Sequence, residues 1–133
     1  MDTYINPSEE QEQIALAQWL DIHKINFFHP PNGGHRNVVV AAKLKAQGVK
    51  PGVPDVMIVD PPPNYPNNVG TAIELKRRKG GTVSDKQTQW LTILQERGWA
   101  VAVCKGATEA IEFLESLGYG RVNRESKVYT TSS

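Results

Sequence analysis

Residues 54–76 read PDVMIVDPPPNYPNNVGTAIELK, and this stretch decides the fold class because it holds two strand-like segments separated by a turn. The first segment, residues 55–59, is a short apolar run typical of a buried strand. The second, residues 70–76, alternates so that Ile73 and Leu75 face one way. Consecutive prolines between them cannot continue a sheet ladder. We therefore predict two neighbouring strands joined as a hairpin.

Two helices and a short strand are expected before this hairpin. Ser8 and Gln11 have the spacing of a capping box, which predicts that a first helix starts at Ser8. Asn37 is a suitable N-cap for a second helix that Gly48 would end. Residues 25–28 form a short strand between these helices. The residues expected to face inward are Leu16 and Leu20 on the first helix, and Val40, Ala41 and Leu44 on the second.

A helix, a strand and a final helix are expected after the hairpin. Ser84 begins a helix that Gly98 ends, residues 99–104 form a buried strand, and Thr108 opens the last helix. The resulting order predicts an α/β (α+β) domain in which helices flank a mixed sheet of about four strands. We expect the polar segment 119–133 to be loosely ordered.

The composition is that of a single globular domain over residues 1–133, with 39% hydrophobic and 22% charged residues. No apolar stretch is long enough to span a membrane, and the first residues lack a secretory-signal pattern. Cys104 is the single cysteine, which favours a reducing intracellular location, and its apolar neighbours predict a buried, inert thiol. The net charge of +1 neither favours nor excludes a nucleic-acid partner.

The predicted hairpin holds three residues that could form a catalytic site: Asp55, Glu74 and Lys76. Side chains alternate along a strand, so Glu74 and Lys76 share a face, and strand pairing can bring Asp55 beside them. Two neighbouring carboxylates repel each other unless they share a cation, and carboxylate oxygens suit Mg²⁺. Taken alone, however, these short patterns favour a structural interpretation, in which Asp55 starts a strand and the other two form an exposed ion pair.

The wider pattern reverses that preference, because its ordered motifs resemble the VRR-NUC domain, a virus-type replication-repair nuclease of the PD-(D/E)XK superfamily. The resemblance covers roughly residues 8–118. The matching segments are Glu9 with Gln13 and Trp19, PNGGHR at 31–36, KLKAQG at 43–48, GVPD at 52–55, AIELK at 72–76, SDKQ at 84–87, and Gly98 with Trp99.

The resemblance implies a restriction-endonuclease-like core and an endonuclease that hydrolyses DNA with Mg²⁺, for which Mn²⁺ can substitute. It implies that Asp55, Glu74 and the backbone carbonyl of Leu75 hold the metal, and that Lys76 is the catalytic lysine. We expect the side chain of Lys76 to be solvent-accessible.

Glu9 and Gln87 are also implied as site residues, and each has a structural alternative. Gln87 can close a capping box with Ser84, and Glu9 can complement the helix dipole as readily as Glu10 or Glu12. We favour the site roles because Gln87 lies on the inward stripe of its helix and Glu9 is in register with the apolar face of the first helix.

Candidate nucleic-acid contacts are basic residues beside these motifs, because local positive charge is favoured next to phosphates. Arg36 follows a glycine-rich loop that could cradle a phosphate or could be an ordinary turn. The remaining candidates are Arg77, Arg78 and Lys79. The three histidines, His23, His29 and His35, lack the spacing of a zinc site and are expected at the surface or in turns.

Short relatives in this family resemble bacterial and phage enzymes that act on branched DNA, four-way junctions in particular, as homodimers. The resemblance thus implies a DNA partner, a homodimer, and the cytoplasm of a bacterial or phage-infected cell. The main alternative is a non-catalytic nucleic-acid-binding module with the same fold. Two others are an interaction protein with ion-paired carboxylates, and a hydrolase of RNA or single strands.

Overall fold

The computed structural model describes residues 6–31 and 37–120 of the chain. Helices and strands follow one another in the predicted order. They are α1 (Glu9–Ile22), β1 (Phe27–Phe28), α2 (Val38–Ala46), β2 (Val56–Ile58), β3 (Thr71–Lys76), α3 (Asp85–Glu96), β4 (Ala100–Lys105) and α4 (Ala107–Ser116). In these ranges, none of the helices has the length and apolar character needed to cross a membrane.

The strands form one mixed sheet in the order β1-β2-β3-β4. β1 pairs with β2, and β2 with β3, in antiparallel orientation, as the predicted hairpin requires. β3 and β4 are parallel, so the chain must cross from one end of the sheet to the other, and α3 makes that crossover. A mixed four-stranded sheet flanked by helices confirms the predicted fold class.

β3 lies inside the sheet, and all six of its residues are buried. On one face Ile73 and Leu75 join the hydrophobic core with Leu16 and Leu20 of α1 and Leu114 of α4. On the opposite face a side chain of α3 hydrogen-bonds to the strand. Because water does not reach a buried strand, the charged side chains of β3 need hydrogen-bond or ion-pair partners within the protein.

The predicted capping boxes fix where α1 and α3 begin. Ser8 Oγ accepts the amide of Gln11 at 3.1 Å, and Gln11 Oε1 accepts the amide of Ser8 at 2.9 Å. Ser84 and Gln87 form the same reciprocal pair at 3.2 and 2.9 Å. Each box satisfies two amides that would otherwise lack partners, and so sets which residues of the helix approach β3.

The predicted inward face of α2 is wrong. Asn37 caps the helix as expected, since its side chain accepts the amide of Val40 at 2.8 Å. Yet no residue of α2 is buried: Val40 and Ala41 are exposed and Leu44 is only half-buried. A helical apolar pattern indicates which residues could face a core, and here no layer of the core covers them.

Tyr119, the first residue of the segment predicted to be loosely ordered, is held in the core. Tyr119 is only 3% exposed, and its hydroxyl donates to the backbone oxygen of Asp60 at 2.6 Å and lies 2.8 Å from Thr71 Oγ1. The aromatic ring joins the core while its polar tip finds buried partners, which ties the end of α4 to β3. The rest of that segment, residues 121–133, lies outside the described residues.

Candidate active site

Asp55 lies where β2 meets β3. It precedes the first residue of β2, Val56, which pairs with Ile73, so continuation of the register places Asp55 opposite Glu74. Asp55 Oδ2 accepts the amide of Leu75 at 2.7 Å, which prolongs the contact between the strands beyond the backbone ladder. The side chain is thereby fixed at the end of the sheet.

Glu74 and Lys76 lie on the same face of β3, as the alternation predicts. Lys76 Nζ is 3.4 Å from Glu74 Oε2, and the two side chains are only 9% and 2% exposed. The expectation that Lys76 is solvent-accessible is therefore wrong. Position 76 still belongs to the central strand, whose residues are covered on both faces, and the ammonium is held next to a carboxylate that can balance its charge.

Gln87 combines the two roles that were weighed as alternatives. Its Oε1 accepts the Ser84 amide at 2.9 Å and closes the capping box. Its Nε2 donates to Glu74 Oε2 at 2.8 Å. One side chain therefore anchors the start of α3 and holds the carboxylate of Glu74, because the first turn of α3 faces β3.

The surroundings of Glu74 disfavour the charged form of its carboxyl group, even with Lys76 nearby. Burial, followed by the repulsion from Asp55, raises the pKa of Glu74 from 4.5 to about 8, although Lys76 acts in the opposite direction. Glu74 Oε1 is also buried without a hydrogen-bond partner. Such an oxygen is costly to bury, and a bound cation is one group that would relieve both the repulsion and the missing contact.

The donor set fits a hard cation better than a zinc ion. Over residues 6–31 and 37–120, no cluster of three or more His, Cys, Asp or Glu side chains is placed to hold a metal. A cation at Asp55 and Glu74 would complete its coordination with main-chain oxygen, water and substrate phosphate. That is the coordination typical of Mg²⁺, whereas structural zinc takes four protein ligands rich in Cys and His.

An open cleft of about 460 Å³ leads to this position. Asp55 and Leu75 form part of its wall, and residues of α1 form another part. Glu9 is among them, so the structure brings the first-helix acid to the same cleft as Asp55, with an exposed side chain. The other lining residues are Glu10, Gln13, Ile14 and His29.

His29 is a cleft residue that the sequence pattern did not single out. Its Nδ1 lies 2.6 Å from the backbone oxygen of Asp55, and since a carbonyl can only accept, Nδ1 carries the proton and donates. The contact arises because the pairing of Phe28 with Met57, continued by one residue, places His29 opposite Val56, next to the backbone oxygen of Asp55. Spacing along the chain gives no sign of it, because the two residues are 26 positions apart.

The four residues of the basic run 76–79 differ in exposure. Lys76 is buried in the site, Arg77 and Lys79 are exposed, and Arg78 is partly engaged: its Nε donates to Glu12 Oε2 at 2.8 Å. Glu12 lies in the first turn of α1, but unlike Glu9 and Glu10 it is buried, at 2% exposure. The fourth candidate contact, Arg36, lies outside the described residues, as do the glycine-rich loop and His35.

Cys104 has the inert character that its apolar neighbours predict. It is 2% exposed, and burial, with a smaller contribution from the negative charge of Glu109, raises the pKa of its thiol to about 12. The thiolate that a nucleophile requires is therefore suppressed at neutral pH.

The chain is similar to known proteins in both sequence and structure. A family model described as the VRR-NUC domain matches residues 7–108, which include Glu9, Asp55, Glu74, Lys76 and Gln87. A solved structure described as a "VRR_NUC domain protein" has a TM-score of 0.71 and 23% sequence identity, over 89% of this chain and 92% of that chain. At that identity the likeness shows the fold, and it agrees with the predicted architecture. No curated protein sequence matches the chain.

Proposed function

The chain belongs to the VRR-NUC domain family, which is nuclease-type, and we propose that it is a metal-dependent endonuclease that hydrolyses phosphodiester bonds of DNA. The observation that carries the proposal is the state of Glu74. It is a buried carboxylate beside Asp55 and Lys76, it has a raised pKa, and one of its oxygens has no partner.

A cation is needed because the protein's own donors are too few for this reaction. Enzymes lower barriers by roughly 8–23 kcal/mol, and more for the slowest phosphoester hydrolyses. One well-placed donor supplies only about 3–4 kcal/mol. Asp55, Glu74 and the carbonyl of Leu75 would hold Mg²⁺, with Mn²⁺ as a substitute. The ion would neutralise phosphate charge and activate water as a nucleophile.

The protein side chains have distinct tasks around that position. Lys76 keeps an ammonium group beside Glu74, where it can donate to a phosphate oxygen or to the attacking water. Gln87 holds Glu74 Oε2 and so leaves Oε1 for the cation. Glu9, on the wall of the cleft, can orient water near the reacting phosphate.

Branched DNA, four-way junctions in particular, is the substrate class that we propose. The cleft is open and lies at the end of the sheet, which is compatible with selection by DNA shape. Symmetric cutting of a junction needs two sites, and the described residues of each chain form one. We therefore propose that the protein acts as a homodimer.

The contrasting possibility is a non-catalytic nucleic-acid-binding module in which Glu74 and Lys76 merely neutralise each other. The 3.4 Å contact between them is compatible with that role. The second carboxylate, Asp55, and the unpartnered Glu74 Oε1 count against it, because a neutralising pair needs neither.

Cleavage assays distinguish these possibilities. Linear duplex, flap, single strand and four-way junction DNA are each incubated with Mg²⁺, with Mn²⁺ and with EDTA. We expect cleavage with either metal, strongest on the junction, and none in EDTA. Binding without cleavage under every divalent ion would establish the binding module instead.

A lysine substitution tests the site itself. Lys76→Met retains the buried apolar stem and removes the ammonium, so the protein should fold and lose cleavage. Lys105→Ala is the matched control, since Lys105 pairs with Lys76 in the parallel register but is exposed. Equal activity of Lys76→Met and wild type would refute the assigned role of Lys76.

A further inference from the structure

Glu12 is a buried acid that the proposed chemistry does not use. It lies one helical turn after Glu9, is only 2% exposed, and uses both of its oxygens. Oε1 accepts the amide of Ala107 at 2.9 Å, so Glu12 caps α4 from another helix, in place of the side-chain cap that Gly106 lacks. Oε2 accepts Arg78 Nε at 2.8 Å.

Arg78 is held from two sides. Glu12 fixes Nε, and the backbone of Gly106 runs directly beneath the aliphatic stem. A Cβ at position 106 would lie 2.9 Å from Arg78 Cγ and 3.1 Å from Nε, so the site tolerates only glycine without a shift. The side chain nevertheless remains 42% exposed. The guanidinium is thus a positioned surface charge whose stem is anchored in the interior.

This anchored charge lies next to the candidate active site. The amide of Gly106 donates to the backbone oxygen of Lys76 at 2.8 Å, so the crossing of Arg78 over Gly106 occurs where β3 ends. Glu12 is on the same helix as Glu9, which lines the cleft together with Asp55. A DNA strand that enters the cleft would therefore pass near Arg78.

We infer that Glu12 is a positioning residue that holds Arg78 as a preorganised contact for a DNA phosphate beside the cleft. The inference rests on the proposed nuclease function. A free arginine loses rotamer entropy when it binds a phosphate, whereas Arg78 is already ordered, so binding costs less. A phosphate can approach the guanidinium because the side chain of Arg78 is 42% exposed.

Whether Glu12→Gln strengthens or weakens DNA binding shows whether Glu12 positions Arg78 or acts only through its negative charge. Removing a negative charge should by itself strengthen binding, because it reduces the repulsion between the protein and the phosphates. If Glu12 positions Arg78, the same substitution weakens binding, since an amide cannot accept from both Arg78 and Ala107. Glu112→Gln removes the same charge from an exposed site on α4 and is the matched control.

The experiment is a double-mutant cycle. Fluorescence anisotropy measures the binding of fluorescein-labelled duplex DNA to each variant in EDTA. Circular dichroism defines a temperature at which every variant is folded. We expect Glu12→Gln and Arg78→Ala each to weaken binding about tenfold, the loss of one charge-assisted hydrogen bond. The double variant should be no weaker than Arg78→Ala alone, because Glu12 acts through Arg78. Arg77→Ala should have a smaller effect than Arg78→Ala.

A purely structural role gives a different result. Glu12→Gln would then lower the unfolding temperature but bind DNA as tightly as Glu112→Gln, and this outcome overturns the inference. Additive effects in the double variant, or equal losses from Arg77→Ala and Arg78→Ala, also overturn it. If the wild type binds DNA but cleaves none with Mg²⁺ or Mn²⁺, the proposed function fails, while the binding cycle still decides the role of Glu12.

Discussion

Gln87 Nε2 donates to Glu74 Oε2 at 2.8 Å, while Oε1 of the same glutamine caps α3. The start of the helix and the conformation of the buried carboxylate are therefore set by one side chain. The protein itself thus holds the carboxylate of Glu74 in place, and such preorganisation is what the proposed catalysis would need.

Substitutions at Ser84 and Gln87 should distinguish helix capping from the role of Gln87 in holding Glu74. Ser84→Ala removes only the cap and should cost about 0.5–2 kcal/mol of stability without changing kcat. Gln87→Ala also frees Glu74, so kcat should fall about 10–100-fold, the usual cost of losing a group that orients a metal ligand. Urea unfolding and junction-cleavage kinetics provide the two measurements. Equal kcat values for the two variants would show that Gln87 is only a cap.

The stability of the metal-free protein should fall as the pH rises from about 4.5 to about 8, the range of the raised pKa of Glu74. In this interval the folded protein keeps a proton that the unfolded chain has released. The stabilisation is therefore fully present below pH 4.5 and is lost as the pH rises through the raised pKa of about 8. Thermal unfolding in EDTA across this range measures it.

Glu74→Gln is the control for that pH dependence, because an amide mimics the protonated acid and does not titrate. The variant should unfold at a nearly constant temperature over the interval. A wild-type profile that rises with pH, or one that the substitution leaves unchanged, would contradict the assignment to Glu74.

Divalent metal should stabilise the protein even when no DNA is present. A ligand that binds only the folded state adds about 2.7 kcal/mol when its free concentration is about a hundredfold above Kd. Mn²⁺ should therefore raise the unfolding temperature of the wild type, but not of Asp55→Asn. Asp85→Asn, which changes an exposed acid at the start of α3, should keep the full response. Equal responses of both variants would place the metal elsewhere.

His29 should influence metal binding through Asp55. His29→Ala removes the hydrogen bond to the Asp55 carbonyl, and the Mn²⁺ concentration that gives half of the maximal stabilisation should rise about tenfold. His29→Gln, which retains a donor, should recover part of the affinity. If His29→Ala binds Mn²⁺ like the wild type, the histidine is only a surface residue.

Local sequence signals predicted much of this fold. The capping boxes at Ser8 and Ser84 located two helix starts, and alternation in residues 70–76 placed Glu74 and Lys76 on one face. Turn residues between two apolar segments predicted the hairpin that brings Asp55 opposite Glu74. These signals succeed because each depends on neighbours a few residues apart.

Contacts between residues far apart in the chain could not be predicted from the sequence. The residues of the Glu12–Arg78 bond are 66 positions apart, and burial of Tyr119 depends on Thr71, 48 positions away. Exposure of Lys76 and of α2 was also mispredicted, because burial depends on which layer covers a residue. Periodicity shows only which side chains share a face.

The central claim is that Asp55 and Glu74 share one divalent cation, with Lys76 beside it. The most direct measurement is a Mn²⁺-soaked crystal analysed by anomalous diffraction. We expect a single strong peak in contact with both carboxylates and with the carbonyl oxygen of Leu75. A map without any peak between these two acids, under conditions in which the protein cleaves DNA, would contradict the claim.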